Sequence, residues 1–245
     1  MNKLHEIISS SSDTNQPMIP SLSSNSVYLG IMLAIVGGFL DAYTFISRDG
    51  VFANAQTGNI VLLGVSLASG EWKQMLNYIP PIGAFIVGVL VSETFKRPKV
   101  KYYVYSSRRA VLLLEFFVLV IVGFLPQSVP NIIITVCIGF VSSLQISTFN
   151  KLDKWNYNST MTTGNLRTAT QAAYKVFVEK NKEAVAQFKE FSVVILSFLL
   201  GAILGSITTL HLGDKSIWLA AIIIFISLIL YHKDRGYYRK KSSSN

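Results

Sequence analysis

Residues 27–47 read VYLGIMLAIVGGFLDAYTFIS, an apolar run of 21 residues interrupted by one acidic side chain, Asp41. As an α-helix this run is about 31 Å long, enough to cross the hydrocarbon core of a bilayer. A signal peptide would have a shorter apolar core and a small-residue cleavage site, so we expect a retained membrane-spanning helix. Five further apolar runs follow, at about residues 75–95, 110–125, 130–150, 190–210 and 216–231.

The composition of the 245-residue chain agrees with several spans. Hydrophobic residues make up 51% of it and charged residues only 14%, whereas an ordinary soluble domain has about 25% charged residues. A soluble enzyme and a disordered protein are therefore excluded, and a disulfide scaffold is excluded because the chain has one cysteine. We expect an all-α polytopic membrane protein with the lipid bilayer as its main partner.

The net charge of +9 is concentrated beside the apolar runs, in residues 96–109 and in the C-terminal tail. Such clusters are typical of cytoplasmic segments, and without interleaved aromatic residues they do not indicate nucleic-acid binding. We predict cytoplasmic N- and C-termini. Residues 1–26 are predicted to be a disordered cytoplasmic leader, 27–231 a single transmembrane domain, and 232–245 a basic cytoplasmic tail.

Two shorter and more polar segments, 52–70 and 158–176, reveal an internal repeat. The sequence LDAYTF at residues 40–45 matches LQISTF at 144–149, and TGNI at 57–60 matches TGNL at 163–166. The later apolar runs continue in the same order. We therefore predict two repeats, at about 27–125 and 130–231.

The orientation of the repeats follows from the basic clusters. If residues 96–109, 175–189 and the tail are all cytoplasmic, the segment 158–176 must begin and end on the cytoplasmic side. Each repeat then has three spanning helices plus one re-entrant half-helix preceded by a short extended segment, and an odd number of spans inverts the second repeat. The alternative, parallel repeats of four spans, would leave the charges of 175–189 on the wrong side.

The two Thr-Gly-Asn motifs are the candidate binding site. In the inverted arrangement they enter the membrane from opposite faces and approach each other, with Thr57 and Thr163 as N-caps of the half-helices. Helix N-termini carry partial positive charge and free N–H groups, which suit a small polar or anionic solute. The alternative is that the motifs only cap short helices and pack the repeats together. The predicted substrate-binding residues are Thr57, Gly58, Asn59, Thr163, Gly164, Asn165, Arg167 and Gln145.

Ionisable residues within apolar runs are costly and often functional. We predict that Asp41 is a proton- or cation-coupling carboxylate and that Arg167 is an anion clamp. The alternatives are a structural ion pair between these two residues, or a pair between Asp41 and Arg48. Glu115 is predicted to be an interfacial partner of the Arg108-Arg109 pair.

Motifs of cofactor-dependent or metal-dependent chemistry are missing from the sequence. The three histidines are scattered, so we predict no metal site. No Walker loop, H-E-x-x-H, G-x-S-x-G or G-x-G-x-x-G pattern occurs, and no cofactor is expected.

The motif residues resemble those of a known family. Gly38-Phe39-Leu40-Asp41-Ala42, the segment from Phe52 to Thr57-Gly58-Asn59, and Leu63-Gly64 resemble the YoaK family of bacterial multi-spanning membrane proteins. Thr163-Gly164-Asn165-Leu166-Arg167 is similar to that family's second signature, and the likeness covers about residues 27–231. The resemblance implies a bacterial inner-membrane location and no particular substrate. The pattern of extended segment and half-helix is also similar to that of larger inverted-repeat anion and nucleobase permeases.

Three classes of function remain open. A secondary transporter or channel is favoured by the paired polar segments and the buried charges. A non-transporting membrane scaffold or accessory subunit is the alternative. A membrane enzyme acting on a lipid-soluble substrate comes third, because no set of nucleophile and base is evident, so no enzymatic activity is expected. A homo-oligomer is compatible with the sequence.

Overall fold

The fold is a bundle of α-helices with one very small hairpin. A computed structural model describes residues 26–97 and 107–242, with side chains for 26–97 and 108–231, so that most of the predicted leader and residues 98–106 of the basic connection lie outside the described residues. Within these ranges the helices are α1 Val27–Ser47, α2 Gln56–Ala68, α3 Trp72–Phe95, α4 Ser107–Phe124, α5 Asn131–Thr148, α6 Thr162–Phe177, α7 Ala184–Leu212 and α8 Ile217–Ser242. The all-α fold class is confirmed.

The short connections between helices carry the remaining structure. Strands β1 (Lys151–Leu152) and β2 (Trp155–Asn156) form an antiparallel hairpin between α5 and α6, which the sequence pattern did not predict. A 3-10 turn, Gly213–Ser216, joins α7 to α8. Asp153 in the hairpin turn has φ 50°, and Asp49 after α1 has φ 58°. The segments that follow α1 and α5 therefore both contain a left-handed aspartate.

Four helical segments among the described residues are long and apolar enough to cross a membrane: Val27–Ser47, Trp72–Phe95, Asn131–Thr148 and Ala184–Tyr231. The last segment contains α7 and most of the apolar part of α8. Helix α2, with 13 residues, is too short to span a bilayer. The chain is a multi-pass membrane protein.

Some helix limits differ from the predicted ones. Helix α3 runs without a break through Pro80 and Pro81, which were expected to kink or break it. Helix α7 begins at Ala184, before the predicted run, because Gln187, Lys189 and Glu190 in its first two turns interrupt the apolar pattern. The helical backbone of α8 continues past residue 231 into the predicted tail.

The main helix contacts join the first part of the chain to the second. Helix α1 packs most extensively on α7, α3 on α5, and α4 on α8. In the first pair, the carbonyl oxygen of Ile35 faces Gly201 and that of Phe39 faces Gly205. A Cβ atom at Gly201 would lie 2.0 Å from the Ile35 oxygen, so only glycine permits this close approach. Since both residue numbers rise together, α1 and α7 run parallel.

The other two pairs have defined directions too. Helices α3 and α5 are parallel, because the Pro81 carbonyl lies beside Gly139 while Ser92 Oγ lies 3.4 Å from Thr148 Oγ1. Helices α4 and α8 are antiparallel. In that pair Trp218 Nε1 donates to the Val120 carbonyl at 3.3 Å, and the rings of Phe116 and Phe225 lie 5.2 Å apart.

Candidate functional site

The turns that precede α2 and α6 are closed by the same asparagine clamp. Asn59 Nδ2 donates to the Phe52 carbonyl at 2.8 Å, and the Phe52 amide donates to Asn59 Oδ1 at 2.9 Å. Asn165 forms the same two bonds with the backbone of Asn158, at 2.6 Å and 3.3 Å. The asparagine of each Thr-Gly-Asn motif thus holds the residue seven positions before it, and its amide is committed to its own turn.

Each half-helix begins two residues earlier than predicted. The N-cap residues are Ala55 for α2 and Met161 for α6. The prediction that Thr57 and Thr163 are N-caps is therefore wrong, and both lie inside the first helical turn. The reason is that other side chains already accept hydrogen bonds from the N–H groups before each helix.

Asp41 supplies this acceptor in the first turn. Its side chain is 6% exposed, and Oδ1 accepts from the amides of Asn54 at 2.7 Å and Ala55 at 3.4 Å. The start of α2 is thus fixed by a carboxylate from α1.

The second turn has a different acceptor. Asn158 Oδ1 accepts from the amides of Thr160 at 3.0 Å and Met161 at 3.1 Å. Gln145, which corresponds to Asp41 in the sequence repeat, is fully buried, and neither its Oε1 nor its Nε2 has a hydrogen-bond partner in the described part of the chain. The second turn therefore caps itself and leaves the glutamine without its expected partners.

The two turns meet at one cavity of about 390 Å³. Residues of both half-helices contribute, among them Thr57 from α2 and Thr163 from α6. Helices α1 and α7 complete the wall, and Asp41 is the one ionisable side chain among the lining residues that the structure describes. The lining is Gly38, Asp41, Ala42, Phe45, Ile46, Phe52, Ala55, Thr57, Thr160, Met161, Thr162, Thr163, Phe198, Ala202 and Ser206.

Several predicted site residues lie outside this lining. Asn59 and Asn165 are buried in their clamps, and Gln145 is buried elsewhere. Gly58 packs on the Phe52 ring, where a Cβ atom would lie 2.8 Å from the ring, and Gly164 has open space around it. The motif threonines and Asp41 are the predicted site residues that the structure brings together.

The sequence analysis missed the aromatic and α7 components of the cavity. Phe45 lies one helical turn after Asp41 on the same face of α1, a spacing that was available in the sequence. Phe52 was noted only within the family resemblance. Phe198 and Ser206 lie on α7, beside the glycines that contact α1. Only the α1–α7 contact makes them part of the site. The Gly201-x-x-x-Gly205 spacing indicates a close helix contact but does not identify the partner helix.

The predicted ion pairs of Asp41 are wrong. Arg48 pairs with Asp214 at 2.9 Å and also donates to the Tyr43 hydroxyl at 2.6 Å and to Asn131 Oδ1 at 3.1 Å. This network joins the end of α1 to the start of α5 and to the turn after α7. Arg167 is exposed on α6, and the described residues contain no ion pair between it and Asp41.

Glu115 also differs from its prediction. Its side chain is fully buried within α4, and neither carboxylate oxygen has a hydrogen-bond partner among the described residues. It shares a helix face with Leu112 and Leu119, which belong to the main apolar core. Glu115 therefore lies inside the bundle and is not a partner of the Arg108-Arg109 pair at its edge.

These features define a multi-spanning helical membrane protein with two similar polar turns around one cavity. The chain belongs to the family described as protein of unknown function (DUF1275), whose family model matches residues 29–230. It is 24% identical over 199 residues to the UPF0700 transmembrane protein YoaK of Bacillus subtilis (strain 168), an alignment that covers 79% of this chain and 88% of the relative. The resemblance to the YoaK family is confirmed. No solved structure matches the chain.

Proposed function

We propose that this protein is a secondary transporter or channel for a small polar solute, which binds in the cavity between the two half-helix N-termini. The observation that carries the proposal is the single 390 Å³ cavity lined by both turns. Broken or short helices at corresponding positions of two repeats are the usual location of a transporter's binding site. A membrane protein also tolerates irregular backbone at membrane depth only where it is buried or lines a cavity.

The proposal includes two inverted repeats. Helices α1, α3 and α4 correspond to α5, α7 and α8, and the contacts α1–α7 and α3–α5 exchange under that correspondence. The antiparallel packing of α4 on its counterpart α8 supports opposite directions for the two repeats. This supports re-entrant α2 and α6 entering from opposite faces, and with the basic segments it supports cytoplasmic termini in a bacterial inner membrane.

The chemistry of the cavity matches transport better than catalysis. Threonine hydroxyls from both turns can donate to or accept from a polar solute, and Asp41 is placed to bind a coupling proton or cation. We therefore propose no enzymatic role. The sequence led us to expect either a polar or an anionic solute, and the anionic one has less support. Arg167 does not line the cavity, and the first amides of both turns already have acceptors.

Reconstitution into proteoliposomes tests this proposal. Uptake of isotope-labelled amines, amino acids, sugars and carboxylates is measured with and without a pH gradient, for the wild type and for Ala202→Phe. The phenyl group would fill the cavity, so we expect uptake of the transported solute to fall at least about tenfold, to near the level of empty liposomes. Ala186→Phe is the matched control, since Ala186 is exposed on the same helix and outside the lining. Equal uptake by both variants would contradict the proposal.

A non-transporting scaffold or accessory subunit is the second candidate. It is favoured by the asparagine clamps, which direct the most polar residues of both motifs into the protein's own backbone. A scaffold would show no solute uptake with any member of the panel. Its stability would also be insensitive to every solute tested.

A further inference from the structure

We propose that the cavity binds a small organic ammonium ion, with Asp41 as the counter-ion and the phenyl rings of Phe45 and Phe198 as its apolar walls. This inference rests on the proposed function only in using the same cavity. It identifies the class of solute, and it would hold for a protein that binds the ion without moving it.

The carboxylate of Asp41 serves both the turn and the cavity. Its Oδ1 accepts from the amides of Asn54 and Ala55, and the same side chain lines the cavity. A buried carboxylate is costly to keep charged unless a cation or further donors reach it. An ammonium group supplies both the charge and the N–H donors.

Part of the cavity lining is aromatic. Asp41 and Phe45 are one turn apart on α1 and so lie on the same helix face. Phe52 stacks on Phe45 with ring centroids 4.9 Å apart, and Phe198 reaches the cavity from α7. Phenyl faces attract cations, and they also solvate the carbon part of an organic ammonium ion. A bare metal ion has no carbon part for these rings to solvate.

The surrounding charges argue against an anion. Arg48 is held by Asp214, and neither it nor Arg167 lines the cavity. The amides before α2 and α6 are already bonded to Asp41 and Asn158, which offsets the positive ends of both half-helices. In the described part of the chain, the cavity therefore has a negative group and no positive side chain.

The experiment compares three probes of nearly equal size: benzylammonium, benzyl alcohol and benzoate. Their binding to the protein in lipid nanodiscs is measured by isothermal titration, with empty nanodiscs as the reference for partition into lipid. We expect saturable binding of benzylammonium that exceeds binding of the alcohol and of benzoate. In Asp41→Asn the affinity for benzylammonium should fall about 30-fold or more, because a buried charge pair loses one partner.

The asparagine side chain of that variant keeps an oxygen that can cap α2, so the fold is retained while the charge is removed. Glu93→Gln is the matched control, because Glu93 is an exposed acidic residue near the end of α3; its affinity should equal that of the wild type. If Asp41→Asn does not yield folded protein, Phe45→Leu with Phe198→Leu replaces it, with an expected loss of about 3- to 30-fold. Preferential binding of benzoate, or unchanged benzylammonium affinity in these variants, would overturn the inference.

The failures of the two proposals are distinguishable. Saturable, Asp41-dependent binding of benzylammonium without uptake into vesicles would retain the ammonium site and reject transport. Uptake of a neutral or anionic solute that is blocked by Ala202→Phe and unchanged in Asp41→Asn would retain transport and reject the ammonium site.

Discussion

The turn between α1 and α2 and the turn between α5 and α6 share backbone features. They differ in the side chain that accepts hydrogen bonds before the short helix. Both begin at a left-handed aspartate and both close on an asparagine clamp. In the first turn, however, the acceptor for the backbone amides is Asp41 on the preceding helix. In the second turn it is Asn158, which belongs to the turn itself. The side-chain amide of the corresponding helix residue, Gln145, has no hydrogen-bond partner in the described part of the chain.

This difference shows that the repeat preserves backbone geometry more strictly than it preserves charge. The clamp satisfies an amide and a carbonyl that would otherwise be buried without partners, so both copies need it. The acceptor for the helix start needs only an oxygen in the right place, so one copy is free to use an ionisable group. The first turn is thus the chemically specialised one.

The largest effect is expected where the two turns differ in charge. Arg48 corresponds to Leu152 in the second repeat, so Arg48→Leu makes the turns alike. The change leaves Asp214 without its cation, and we expect a loss of about 3 kcal/mol or more in the free energy of unfolding. Unfolding by SDS in mixed micelles measures it.

The control for Arg48 is the exposed pair of Lys96 and Glu93. Lys96→Leu should cost less than about 1 kcal/mol, because water already solvates both groups. Equal losses in the two variants would mean that the Arg48 network adds nothing to the stability of the first turn.

An intermediate effect is expected where the turns are alike. Asn59→Ala removes the hydrogen bonds of the Phe52 amide, the Phe52 carbonyl and Gln56 Oε1, and we expect a loss of about 3 kcal/mol. Asn165→Ala removes one bond fewer and should cost about 2 kcal/mol. The same SDS titration measures both.

Asn77→Ala on α3 is the reference for the clamp variants, because the Asn77 side chain forms no hydrogen bond within the described residues. This reference substitution should change the free energy of unfolding by less than about 0.5 kcal/mol. A clamp variant as stable as this reference would show that the turns do not depend on their asparagines.

The smallest effect is a gain in stability. Gln145→Met replaces a buried amide without partners among the described residues by an apolar side chain of similar shape, and we expect about 1 kcal/mol of added stability. Thermal denaturation followed by size-exclusion chromatography would register it as a higher midpoint. Gln187→Met, at a partly exposed position of α7, should leave the midpoint unchanged. A lower midpoint for the Gln145 variant would indicate that the amide has a polar partner in the membrane.

The sequence was sufficient for the parts of the fold that depend on composition and periodicity. Apolar runs located α1, α3, α4 and α5 to within a few residues, and the repeated Thr-Gly-Asn motifs located both short helices. The first turns of α7 were missed because Gln187, Lys189 and Glu190 interrupt the apolar run, and the β1–β2 hairpin because its strands have two residues each. Such short elements are determined by the turn at Asp153 and by packing of Leu152 on α1.

The candidate site was predictable in part. The motif threonines and Asp41 could be singled out because polar residues in apolar segments are conspicuous. The Asp41 side chain accepts hydrogen bonds from the amides before α2, whereas the Gln145 side chain forms no corresponding bond. This difference depends on where the turn after each helix folds back. Phe198 entered the site through the contact between α1 and α7, which links residues far apart in the chain.

The pairing of α1 with α7 has a consequence for synthesis. A membrane chain is inserted from its N-terminus, and at roughly 5–20 residues per second the ribosome needs several seconds or more to reach the partner of the first helix. During that interval Gly38 and Asp41 have no neighbour on the face that α7 will cover. The nascent first helix must therefore be sheltered by lipid or by the insertion machinery until the second repeat arrives.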